Sequence, residues 1–163
     1  MELTTAKNLA IKLMTKHGLI AKYWRFEFDN AKRRFGYCAH YCKMIGLSKN
    51  LVLLNGEAEV KDVILHEIAH ALCDVNHGHD WVWKQKAIEV GARPERCYDS
   101  EAVNQPESKY VAECKGCGKI HKRHKKISGG RISSCSACSG GKFNPQYKLD
   151  YILNPKLNLV VSK

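Results

Sequence analysis

The stretch His66-Glu67-Ile68-Ala69-His70 decides how this chain is read. Residues four apart share one face of an α-helix, so H-E-x-x-H on a helix aims two imidazoles at one point. Neutral imidazole suits Zn²⁺, and a carboxylate beside a water polarised by the ion can take that water's proton. The flanks argue against a chance pattern. Val60, Val63, Ile64, Ile68, Ala71 and Leu72 recur at helical spacing and predict a buried face. Asn55 or Gly56 can open the helix, Glu57 and Glu59 suit the positive end of its dipole, and the pattern carries it over 57–75. A buried helix bearing two histidines and a glutamate must give those polar groups partners, and a metal ion is one.

A catalytic zinc takes three protein ligands and keeps one position for water. The third can come from His77 or His79, beyond a chain reversal, or from Cys73, Asp74, Asp80 or Glu89. Cys73 follows His70 near the same face, but a thiolate there leaves both later histidines without a role.

The block Gly78-His79-Asp80-Trp81-Val82-Trp83-Lys84 resembles the G-H-G-x-x-[WF]-K block that follows H-E-x-x-H in SprT-like (Spartan-type) metalloproteases. Ile45-Gly46-Leu47-Ser48 is similar to that family's strand before its active-site helix, and Glu89 to Pro94 to the end of its third helix. The resemblance covers roughly residues 35–163. It implies that His66, His70 and His79 are the ligands and Glu67 the base. Asp80 stands where the family usually has Gly. The implied fold is α+β: a minimal zincin-like domain of three helices on a small antiparallel sheet, over residues 1–106, then a zinc ribbon over 107–163. The implied activity is zinc-dependent cleavage of DNA-associated proteins, including DNA–protein crosslinks.

The ribbon has its own signal. Cys114-x-x-Cys117 and Cys135-x-x-Cys138 are separated by seventeen residues, the pattern of a four-cysteine structural zinc site. With the catalytic site, two Zn²⁺ per chain are expected. Eight cysteines would suit a secreted disulfide framework, but no apolar signal core opens the chain, since Lys7, Lys12 and Lys16 interrupt it. The expected location is therefore the cytoplasm, beside the nucleoid, or the nucleus, and no run is long enough for a membrane span. Cys38, Cys42, Cys73 and Cys97 are read as buried reduced thiols.

The formal net charge is +11, which favours a polyanionic partner over a merely soluble basic surface. Between Cys114 and Lys142 stand eight Lys or Arg and no acid. Lys122, Arg123, Lys125, Lys126 and Arg131 are the candidate contacts to the DNA phosphate backbone, with little sequence preference. His121 and His124 are read as surface residues beside them. Few aromatics interleave this run, so base stacking looks limited there, and Trp81, Trp83 and Tyr98 are assigned to the core.

Elsewhere the apolar spacing predicts a helix over 3–17, strands at 24–29, 35–39 and 42–47, and a third helix over 80–90. The strand 42–47 is the candidate to bind substrate backbone as an added strand. Residues 99–109 read as a linker or surface loop. Short strands are expected at 110–112, 119–125 and 147–153. The rival to a protease is a nucleic-acid-binding adaptor with a zincin fold that no longer cleaves, but an adaptor has no use for Glu67. A peptidase unrelated to DNA, with the ribbon recruiting a protein, is a third reading.

Overall fold

The computed structural model describes residues 1–96 and 103–159. The chain divides into two compact units, Met1–Pro106 and Glu107–Lys163. Cys97 and Tyr98, and the first part of the expected 99–109 linker, lie outside the described residues.

In the first unit, helix α1 (Leu3–Lys16) buries Ala6, Ala10, Leu13 and Met14, the face its spacing predicts. Strands β1 (Arg25–Asp29), β2 (Gly36–Ala39) and β3 (Met44–Ser48) follow. They order as β1-β3-β2, with Ile45 of β3 opposite Phe26 on one side and Cys38 on the other. The sheet is thus mixed, not wholly antiparallel: β3 pairs antiparallel with β2 but parallel with β1. The cause is burial. Ile45, Gly46, Leu47 and Ser48 are all buried, and a strand covered on both faces belongs at the centre. The chain lays β1 and β2 one strand apart, and β3 returns between them. This also corrects the substrate-strand expectation, because β3 has both edges paired, and β1 and β2 are the edge strands.

Ser48 ends β3 and caps α2 (Lys49–Leu54), its hydroxyl accepting from the Leu51 N–H. This short helix was not predicted. Helix α3 (Glu57–Leu72) buries Val60, Val63, Ile64, Leu65, Ile68 and Ala69, and stops at Cys73, short of the expected 75. It packs on α1, β2, β3 and α4 (Trp81–Val90). Asp80 caps α4 by accepting from the Trp83 N–H, and Gly91, at φ +88°, closes it in the left-handed region. Residues 103–106 do not float as a linker. Val103 joins the core, and Asn104 and Asn55 exchange hydrogen bonds of 2.8 and 2.9 Å. Trp83 is fully buried as expected, but Trp81 is 71% exposed and Cys42 is exposed, against the sequence reading. Cys73 is buried and Cys38 half-buried.

In the second unit, β4 (Tyr110–Glu113) lies between β5 (Ile120–Arg123) and β6 (Ile152–Leu153), antiparallel to both. The strand expected over 147–153 is reduced to β6, and Tyr147 sits in a 3-10 turn. A one-turn helix, α5 (Ser136–Ser139), starts just after Cys135 and carries Cys138. Among the described residues the buried hydrophobic core here is Ala112, Cys114, Cys135 and Leu149. So small a core calls for a covalent or metal cross-link. Among the described residues no helix is long and apolar enough to cross a membrane.

Gly46 tests the sheet's centre. The Tyr37 ring lies directly across it, and an added Cβ would stand 2.0 Å from a ring carbon. We expect Gly46→Ala to lower unfolding stability by about 1–3 kcal/mol in denaturant titration, the range for overpacking. An unchanged midpoint would mean that the ring does not cover β3.

Candidate metal centre and its cleft

His66 and His70 stand one turn apart on α3, and His79 reaches them from the loop before α4. The Nε2 atoms of His70 and His79 are 3.1 Å apart, as are those of His79 and His66. Three nitrogens on a tetrahedral zinc, each at its usual bond length, would be separated by about 3.3 Å. Imidazoles alone fit this cluster poorly. Each ring nitrogen offers either one proton or one lone pair, so three converging Nε2 atoms leave lone pairs facing one another. A cation resolves that.

Trp83 forms the floor. Its ring centroid lies 4.6, 5.1 and 4.5 Å from those of His66, His70 and His79, and its indole is fully buried. Burial, then the neighbouring imidazoles, pushes the His70 pKa down to about 4; burial and then His79 do the same for His66. Burial lowers His79 too. All three rings are therefore neutral at pH 7, the state a metal ligand needs.

The other third-ligand candidates turn elsewhere. His77 Nδ1 pairs with the Asp80 carboxylate at 2.8 Å, and Glu89 pairs with Lys86. Only His79 joins the two helix imidazoles in a group able to hold an ion; Cys73, Asp74 and Asp80 do not. Asp80, the departure from the family's Gly, is the cap of α4 and the anchor of His77.

Glu67 points from α3 toward the edge strand β2 and is only 7% exposed. Burial raises its pKa to about 8, with Arg34 opposing. Room for this carboxyl depends on Gly36, where a Cβ would meet Glu67 Oε1 at 2.8 Å. Arg34 is itself held by Asp29 and lies over the Tyr37 ring. A bidentate contact of Arg93 to Asp62, one turn before His66, pins the chain after α4 to α3. Together these residues surround a cleft of about 660 Å³ that reaches His66, Glu67, His70 and His79, with Arg33, Arg34, Arg93 and Arg96 around it. Sequence reasoning did not single out Gly36, Arg34 or His40 in this cleft. A glycine in a short strand is a signal of close approach, but it does not name the neighbour.

In the second unit, the sulfurs of Cys114 and Cys138 are 3.8 Å apart, as are those of Cys117 and Cys135. Four thiolates on a tetrahedral zinc would be separated by about 3.8 Å. Backbone N–H groups of Cys117 and Gly116 hold the Cys114 thiol down to about 7. The four-cysteine and three-histidine groups could each hold a metal ion, and zinc fits both.

Lys122, Arg123, Lys125, Lys126 and Arg131 are all exposed, whereas His121 and His124 are half-buried instead of lying on the surface. Aromatics do join the basic run, from outside it. Arg123 lies over the Tyr151 ring at 5.1 Å, and a small pocket of about 260 Å³ gathers Tyr110, Tyr151, Lys126, Arg131 and Lys148.

The SprT-like family model matches residues 8–103, starting upstream of the motif resemblance and ending before the ribbon. The chain is 28% identical over 102 residues to Protein SprT of Shigella flexneri and of Escherichia coli O157:H7, covering 58% of this chain. It spans 62% of the length of these relatives.

The lowered imidazole pKa values give a signed prediction for metal-free protein. As pH falls below about 6.5 the unfolded chain binds protons that folded His66 and His70 refuse until about pH 4. Stability contributed by these rings should therefore fall with pH across that window and level off below it. Glu67, raised to about 8, acts with the opposite sign, its contribution lost as pH rises through 8. Denaturant titrations should show a shallower slope between pH 4 and 6.5 for His66→Gln/His70→Gln than for wild type. Equal slopes would contradict the burial of these rings.

Proposed function

The chain belongs to the SprT-like family, and on that premise we propose that it is a zinc-dependent metalloprotease acting on DNA-associated proteins, DNA–protein crosslinks among them. The observation that carries this reading is the convergence of three neutral imidazoles beside a buried glutamate in one open cleft. His66, His70 and His79 would hold the catalytic zinc; Cys114, Cys117, Cys135 and Cys138 would hold a structural one.

Held by the imidazoles, a zinc ion would supply Lewis acidity toward a water and a peptide carbonyl, and its charge would favour the ionised form of the buried carboxyl beside it. Glu67 accepts the water's proton and passes it to the leaving amine nitrogen. Gly36 leaves the carboxyl room to move between these tasks. Trp83 fixes the planes of the imidazoles and shields them from water. The substrate backbone is read as an added strand along β2, the sheet edge that borders the cleft.

Charge supports the DNA partner. Residues 107–163 hold twelve Lys or Arg against three acids, which leaves nearly all of the +11 on the ribbon unit. Lys122, Arg123, Lys125, Lys126 and Arg131 would contact phosphates with little sequence preference. The Tyr110 and Tyr151 pocket offers a place for a base beside them.

The test is cleavage of a purified DNA-binding protein with and without DNA. Wild type should cleave, faster with DNA and less so as salt rises. Glu67→Gln should keep metal and fold yet lose turnover by a factor on the order of 10²–10⁴, the usual worth of a positioned base. Changing Lys122, Arg123, Lys125 and Lys126 to Glu should weaken the DNA stimulation and leave turnover without DNA unchanged. Near-normal turnover by Glu67→Gln would exclude it as the base.

A further inference from the structure

At one end of the first unit's sheet, two tyrosines have no packing role. Tyr23 is 83% exposed and Tyr41 is fully exposed. They flank an interlocked pair: Trp24, next to Tyr23, is buried and meets the edge of His40, next to Tyr41, with ring centroids 5.5 Å apart. Both segments are short 3-10 turns, Ile20–Lys22 and His40–Cys42, leading into the parallel strands β1 and β3. The Arg25 N–H donates to the Lys43 carbonyl at 2.8 Å, and the Lys43 ammonium to the Lys22 carbonyl at 3.2 Å. The two tyrosines therefore stand at the same end of the sheet, on the turns that enter neighbouring strands.

Two further observations say what this surface is for. Tyr23 and Lys43 have φ of 64° and 46°, the two non-glycine residues at positive φ among the described residues. Such backbone is disfavoured for residues with a side chain, and it tends to persist where it serves a site. Here it ends each turn where the tyrosines are displayed. The charge is also one-sided. Lys22, Arg25 and Lys43, all exposed, lie within two residues of one or other tyrosine in the chain, and residues 17–26 and 30–56 contain no acid. The next acid along β1, Glu27, is exposed and accepts from the Tyr37 hydroxyl. Exposed aromatic rings in segments that carry cations and no acid match a single nucleic-acid strand, whose bases stack and whose phosphates need neutralising. A protein partner would not require the absence of acids, and duplex DNA hides its base faces.

We infer that Tyr23 and Tyr41, with Lys22, Arg25 and Lys43, form a stacking platform for single-stranded nucleic acid on the catalytic unit itself. The inference rests on the proposed DNA-directed function but not on the ribbon contacts. His40, against which Trp24 is locked, also borders the catalytic cleft. A strand on this platform therefore lies at the rim where a protein attached to that strand would be cut.

The test is fluorescence anisotropy of the full, metal-loaded chain with a labelled twenty-nucleotide oligothymidylate and with a duplex of equal length. Tyr23→Ala/Tyr41→Ala should weaken oligothymidylate binding by a factor on the order of ten or more, from the loss of two stacked bases. Duplex binding should stay within about twofold, and Tyr23→Phe/Tyr41→Phe should restore strand binding, because stacking needs the ring and not the hydroxyl. Circular dichroism and thermal melting check folding, which these exposed side chains should not disturb. The charge-reversed ribbon described above should weaken duplex and strand alike, and adding the two alanines should weaken strand binding further. Unchanged strand binding by the double alanine variant, or an equal loss on duplex, overturns the platform while leaving the ribbon reading intact. No salt-dependent binding by wild type to either probe overturns both.

Discussion

A single helix has to bury a carboxyl and, one residue away, present imidazoles to an open cleft. Helix α3 does this through its period. His66 and His70 share the face toward α4, while Glu67 is turned by about 100° toward the sheet. A carboxyl placed there without partners is costly, which shows in its pKa, raised to about 8. The sheet accommodates it with a glycine at the facing position of β2 and an arginine, Arg34, near enough to oppose the shift. A cation on the imidazoles would complete the compensation, so the site and the fold around it ask for the same ion.

The third imidazole depends on a different set of contacts. His79 belongs to a loop, and loops hold a side chain in place only when their ends are fixed. Asp80 fixes one end by capping α4 and drawing His77 away. Trp83, one turn into α4, packs beneath all three rings. Arg93 fastens the far side of α4 to Asp62 on α3. Capping, aromatic packing and the two-point contact of Arg93, backbone N–H and guanidinium, to Asp62 thus converge on one nitrogen position. In the ribbon unit, by contrast, two of the four cysteines, Cys114 and Cys135, form half of the buried core, so the candidate metal site and the core overlap.

Much of this was legible in the residues. The i, i+4 spacing placed His66 and His70 together, and the two C-x-x-C pairs named the ribbon's ligands. His79 was one of several candidates by spacing, and only the family resemblance singled it out. What stayed hidden was pairing. Nothing in the periodicity of residues 24–29 says that they run parallel to 44–48, although the unbroken apolar run Met44-Ile45-Gly46-Leu47 was a sign of a central strand. Trp81 and Trp83 look alike in sequence. Two positions along a helix turn them to different sides, one under the imidazoles and one into solvent. Tyr110 and Tyr151 escaped notice because they reach the basic run across the sheet, from strand β4 and the approach to β6.

The claim on which everything else turns is that the three imidazoles hold zinc independently of the ribbon. X-ray absorption at the zinc edge, on protein purified without chelator, tests it most directly. The account predicts two zinc ions per chain. Sulfur neighbours at about 2.3 Å and nitrogen or oxygen neighbours at about 2.0–2.1 Å should occur in equal number. In Cys114→Ser/Cys117→Ser, one zinc should remain, with the nitrogen and oxygen shell alone. A single zinc in an all-sulfur shell, absent from that variant, would contradict the account.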